Sequence, residues 1–279
     1  MKNRNLILKL FTVTLLMICF TGCNKTSVED EIINTTEEEI EEKPMEDEII
    51  YEYGDEILDV NGVKLSVKQA GSGPDMILIH GRTLSKEAMD NLFDYYKENY
   101  HVISYDVRGH GESESDDKCT LDDLSDDLIE LIDAYNLNKP VVIGFSMGSY
   151  ITLRTAERYP DLFNGIVLIG TRGKGHVSSF RIDDIVADAM ETFDNMADIS
   201  NVSIPVLVMN GENDFINPSQ EGQKVVKGIA DGEFILVPSA GHEAYRENPD
   251  FVIEQIDIFL GFLKSRVARP INICGQPLN

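Results

Sequence analysis

The sequence predicts an α/β fold: a mostly parallel, eight-stranded sheet flanked by helices, with a short lid segment. Three observations lead there. Short runs rich in Val, Ile and Leu recur without polar alternation, as strands buried on both faces require. Longer stretches between them carry apolar residues at helical spacing, so strand and helix alternate along the chain. Finally, 279 residues of which 42% are hydrophobic suffice for one substantial core.

In chain order, strands are expected near 56–60, 63–69, 76–80, 101–105, 140–144, 165–170, 204–210 and 233–237. Asn61-Gly62 supplies a hairpin turn between the first two. Helices are expected near 85–97, 120–136, 147–159, 182–197, 217–230 and 247–265. In the fourth of these, Ile182, Ile185, Val186, Ala189, Met190, Phe193 and Met196 recur on one face. That stretch is read either as a minimal lid lying across the sheet, within 171–203, or as an ordinary core helix.

The N-terminus reads differently. Lys2, Arg4 and Lys9 precede an apolar run from 10 to 20, and Thr21-Gly22-Cys23 follows, which gives a basic region, a short apolar region and a small-residue cleavage site. Residues 1–22 resemble a bacterial lipoprotein signal peptide. The resemblance implies a lipidated Cys23 anchoring the chain at the extracytoplasmic face of the cell membrane. Phe20 stands where that motif more often has Leu, so plain secretion or an uncleaved helix remains open. Residues 23–54 then form an acidic segment, with twelve Asp and Glu and two Lys between 24 and 54, and disorder is expected of it. A folded domain is expected over 55–267, and the tail 268–279 carries no reading.

The densest information lies at Val141-Val142-Ile143 followed by Gly144-Phe145-Ser146-Met147-Gly148. A strand that turns at once into a helix puts its middle residue in a strained conformation, and the two glycines let the elements approach closely. Ser146 would stand at a helix N-terminus, where free N–H groups and the dipole favour a developing oxyanion. A serine nucleophile needs a base, and the base needs a carboxylate to fix its tautomer. Asp214, after the strand near 204–210, and His242, after the strand near 233–237, follow in the order Ser, Asp, His expected of a fold with such an elbow, with Glu212 the nearest competitor to Asp214.

Two further segments complete a pattern. Met76-Ile77-Leu78-Ile79-His80-Gly81-Arg82 resembles the third strand and His-Gly loop of the α/β-hydrolase family, and Asp106-Val107-Arg108-Gly109-His110-Gly111-Glu112-Ser113 resembles its Asp-x-Arg-Gly-x-Gly-x-Ser segment. The resemblance covers about 56–265. It implies Ser146 as nucleophile, His242 as general base and then acid, Asp214 as its orienter, and the backbone N–H groups of Arg82 and Met147 as oxyanion hole. It also makes His80 structural and pairs Asp106 with Arg108. Substrate is expected against Phe145, Met147, Met190 and Phe193, with His176 either near substrate or in solvent, and Arg82 either bracing its loop or binding an acidic substrate.

Composition excludes other classes. A net charge of −25 argues against nucleic acid and against direct adsorption to anionic lipid. With no His-Glu-x-x-His and no Cys-x-x-Cys, no metal or other cofactor is expected, and no protein partner is implied. Cys119 and Cys274 could pair in an exported domain, which spacing cannot decide. The expected activity is hydrolysis of carboxylic esters of small to medium acyl substrates through an acyl-enzyme. Lactonase, thioesterase, amidase and cofactor-free perhydrolase chemistry use the same groups, and a silent ligand-binding protein is the non-enzymatic alternative. The resemblance disfavours proline aminopeptidases, whose elbow usually carries Trp, and haloalkane dehalogenases, which have Asp in place of Ser146.

Overall fold

The computed structural model describes residues 51–115, 119–176 and 184–267. The signal-peptide reading, Cys23, Ile182, Cys274, the tail and all but the last residues of the acidic segment lie outside them. Eight strands form one sheet in the order β1-β2-β4-β3-β5-β6-β7-β8, with β1 Tyr51–Val60, β2 Val63–Gly71, β3 Asp75–Ile79, β4 His101–Tyr105, β5 Val141–Phe145, β6 Gly165–Ile169, β7 Val206–Gly211 and β8 Gly232–Val237. β1 and β2 pair antiparallel across the Asn61-Gly62 turn, β2 pairs antiparallel with β4, and all later pairings are parallel. β1 begins at Tyr51, earlier than the expected boundary at 55, because its register with β2 runs on to Gly71.

Alternate strand residues feed two cores. Ile77, Ile79, Val142, Ile166 and Val208 face α2 Leu121–Ala134 and α3 Met147–Arg158. Met76, Leu78, Ile143, Val167 and Met209 face α1 Asp90–Tyr96 and α7 Pro249–Val267. Two helices start for a local reason: Thr120 caps α2 in a reciprocal capping box with Asp123, and Pro249 opens α7, where its missing N–H costs nothing. Among the described residues no helix is long and apolar enough to cross a membrane.

The main departure lies between β6 and β7. Instead of a helix over 182–197, the described part has only α4 Ala187–Thr192, after which Phe193 is extended at φ −62°, ψ 148°. The chain then runs beside 173–175: Phe193 O accepts from Gly175 N, Asn195 N donates to Gly173 O, and Lys174 bridges Asp194. Those long-range bonds outweigh the helical periodicity that reaches Met196. The remaining α-helices among the described residues are α5 Ser219–Lys227 and the short α6 Ala244–Glu247.

Candidate active site

β5 ends at Phe145 and α3 begins at Met147, leaving Ser146 alone to turn the chain at φ 49°, ψ −113°. A non-glycine residue in that region stores strain and persists only where its surroundings enforce it. They do so here. Ser146 N donates to Ile169 O at 2.8 Å, and Ser146 O accepts from Ser149 N and Tyr150 N. A Cβ on Gly144 would strike the Gly148 carbonyl, and one on Gly148 would strike the Ile79 carbonyl, so both glycines are needed for helix and sheet to meet this closely.

His242 follows β8, and its Nε2 lies 3.0 Å from Ser146 Oγ. Its Nδ1 lies 2.8 Å from Asp214 Oδ2. Asp214 follows β7 with a fully buried side chain, and its other oxygen accepts from Ile216 N and Asn217 N, both at 2.8 Å. With Oδ1 holding two backbone N–H groups, Oδ2 is left to take the proton on Nδ1, which leaves Nε2 as an acceptor facing the serine hydroxyl. Glu212 points outward and accepts from Ser239 N, bracing the loop after β8. Gly170, at φ 60°, leaves room beneath the imidazole, since a Cβ there would stand 3.2 Å from His242 Cε1.

The His80-Gly81-Arg82 turn lies against this group. A Cβ on Gly81 would come within 2.8 Å of the Phe145 ring and 3.3 Å of Ser146 Cβ. His80 is fully buried, lies 2.7 Å by its Nδ1 from Gly81 O, and accepts from Val107 N through Nε2 at 3.0 Å. That pairing uses the neutral ring with its proton on Nδ1, and burial pushes its pKa down to about 4. Arg82 Nε and Nη2 clasp both oxygens of Asp184 at 2.8 and 2.7 Å, so its side chain braces the turn against the segment leading into α4.

A cavity of about 530 Å³ opens over Ser146 and His242, and Arg82, Phe145, Met147, Met190 and the exposed His176 line it. Phe193 does not. The extended backbone after α4 turns its ring onto Tyr150, centroids 4.6 Å apart, away from the serine. The Asp106–Arg108 pair is likewise absent. Past the end of β4 the two side chains diverge: Arg108 grips Asp127 of α2 at 2.5 to 2.6 Å, and Asp106 accepts from Lys86 N and Glu112 N with the Lys86 ammonium at 3.3 Å. Cys119 is a buried free thiol, and its Sγ–H donates to Ile185 O.

Sequence reasoning missed Tyr150, Arg172, Phe215, Ile216 and Asn217, all of which line the cavity. Tyr150 sits in the first turn of α3, four residues after Ser146, a nearness to the elbow that could have revealed it. Asn217 Nδ2 donates to Tyr150 Oη at 2.6 Å and to Gly170 O at 2.5 Å, a contact between distant loops that leaves no local pattern. Phe215 and Ile216 are exposed apolar residues on the cavity rim, 93% and 62% accessible.

Residues 74–198 match the α/β hydrolase fold family. A provisionally named esterase/lipase of Haemophilus influenzae is 23% identical over 245 residues, covering 70% of this chain and 85% of its own. A proline iminopeptidase of Pestalotiopsis fici is 22% identical over 273 residues, covering 72% and 97%. Among solved structures, the enol-lactonase of Burkholderia xenovorans superimposes with a TM-score of 0.70 at 18% identity, over 74% of this chain and 100% of that one. Sheet order, elbow and these relationships together show that the chain has the α/β-hydrolase fold.

Proposed function

We propose that the protein is a serine hydrolase that cleaves carboxylic esters of small to medium acyl substrates through an acyl-enzyme. The observation that carries this reading is the continuous hydrogen-bonded path from Asp214 through His242 to Ser146 in the wall of a cavity. His242 Nε2 takes the Ser146 proton as Oγ attacks the ester carbonyl, and Asp214 stabilises the imidazolium that results. The oxyanion forms beside Met147, whose N–H at the first position of α3 lacks an intrahelical acceptor, and beside the backbone of Arg82. His242 then returns the proton to the leaving alcohol, and a water activated by the same imidazole releases the acid. A cavity of about 530 Å³ with an apolar rim suits small and medium acyl groups.

Two relationships keep other leaving groups in view: the enol-lactonase neighbour and the iminopeptidase relative. The test is a panel of 4-nitrophenyl esters of graded chain length, read beside lactone, thioester and prolyl-amide substrates, with a fluorophosphonate probe reporting the nucleophile. Ester turnover with labelling lost in Ser146→Ala supports the reading. Fluorophosphonate labelling with turnover confined to amides would move it to a peptidase, and the absence of labelling would favour a ligand-binding protein. Attachment to the membrane through a lipidated Cys23 is proposed on sequence alone. Detergent-phase partitioning of the full chain should vanish in Cys23→Ser, and its persistence would contradict the anchor.

A further inference from the structure

Five side chains in the cavity wall carry or can acquire charge: Arg82, Arg172, His176, His242 and Glu243. Arg82 is held by Asp184, Glu243 by Arg246, and His242 by Asp214 and Ser146, while His176 is exposed to solvent. Arg172 is different. Its Nε is buried with no hydrogen-bond partner, and among the described residues no carboxylate pairs with it. A guanidinium stays protonated and presents its donors in a rigid fork, so one left unpaired in a partly enclosed wall is incomplete until an anion meets it.

Tyr150 belongs to the same place. Burial pushes its phenol up while the Arg172 charge works against that rise, so the two groups lie within electrostatic reach. The Asn217 amide donates to Tyr150 Oη, and the phenol also meets the Ser146 hydroxyl, so its proton can turn from the serine to an anion bound between the two groups. We propose that Arg172 and Tyr150 form an anion subsite in the cavity, and that the preferred substrates are acyl esters carrying a second, ionised carboxyl group. This rests on the hydrolase reading above and names its substrate class.

The chemistry of the two groups suits a carboxylate, whose two oxygens match the guanidinium fork and can accept an additional phenolic hydrogen bond. The chain's net charge of −25 opposes approach of an anion, but salt screens that field beyond about 10 Å, whereas a partly enclosed contact with Arg172 is screened far less. Phe215 and Ile216 on the rim can cover the methylene carbons between ester and carboxylate. Arg82 cannot serve this role without breaking its clasp on Asp184.

The test compares 4-nitrophenyl hydrogen glutarate with its methyl-capped neutral counterpart on the full chain, with Arg172→Gln and Arg172→Lys as variants. Wild type should favour the anionic ester by tenfold or more in kcat/KM. Arg172→Gln should lose about thirtyfold on that ester, mostly through KM, and change little on the neutral one, while Arg172→Lys restores part of the preference. Equal losses on both esters, or wild-type preference for the neutral ester, would overturn the subsite. Calorimetric binding of glutarate, a readout independent of Ser146, separates the two claims. Binding that is lost in Arg172→Gln while fluorophosphonate fails to label would sink the hydrolase reading and keep the subsite; labelling without glutarate binding or charge preference would do the reverse.

Discussion

Around Ser146 the backbone does much of the fixing: glycines whose absent side chains let strand, helix and turn touch, a carboxylate holding two N–H groups, a buried imidazole locking the adjacent loop. The described parts of 171–203 add to their backbone bonds a set of side chains reaching across long sequence distances. Arg82 clasps Asp184, Tyr150 stacks on Phe193, and Asn195 Nδ2 donates to Tyr150 O. The first region is tightly constrained, as the proposed chemistry at a single hydroxyl would demand. The second is assembled from replaceable contacts, which is where one fold can change its substrate without disturbing its reaction.

The largest effects should fall in the first region. Ser146→Ala and His242→Ala are each expected to lower kcat by roughly 10⁶, and Asp214→Ala by about 10⁴, in steady-state assays on a 4-nitrophenyl ester. A double variant Ser146→Ala/His242→Ala should be no worse than either alone, because the groups act as a unit; additive losses would break the comparison.

Next in size is a stability effect beneath the site. His80 is neutral in the folded protein, with a pKa near 4 against 6.5 for the free ring. Between those values the unfolded chain binds a proton that the folded one refuses, so stability is full above pH 6.5 and falls as pH drops toward 4, by about 3 kcal/mol. Urea titrations should show that acid limb in wild type and a shallower one in His80→Gln, whose overall stability is lower at neutral pH. An unchanged pH slope would mean the ring is not held as described.

The smallest effect should come from the cover. Asp184→Asn removes the charge that Arg82 grips; both side chains are partly exposed, so about 1 kcal/mol is at stake. The expected outcome is a few-fold change in KM with kcat nearly kept, fading in high salt. A collapse of kcat would show that the cover is part of the rigid region after all.

The same contrast explains what the sequence could tell. Strands were readable because buried parallel strands are continuous apolar runs, and all eight stand where the runs lie, within a few residues. Gly144, Gly148, Asp214 and His242 were readable because strain and backbone contact demand particular residue types at fixed places in the topology. Phe193 and the Asp106–Arg108 pair were not. Their partners, Tyr150, Lys86 and Asp127, come from other elements, and neither helical spacing nor nearness along the chain records such encounters. Arg172 was missed for a related reason: what matters is the absence of a partner, which only the assembled fold reveals.

The central claim is that Ser146 Oγ becomes acylated. Intact-mass and peptide mapping of the full chain, quenched soon after mixing with 4-nitrophenyl acetate at mildly acidic pH to slow deacylation, tests it directly. An acetyl group on Ser146, absent in Ser146→Ala, is the predicted result. Turnover that persists in Ser146→Ala, or an acetyl group carried by a different residue, would contradict it.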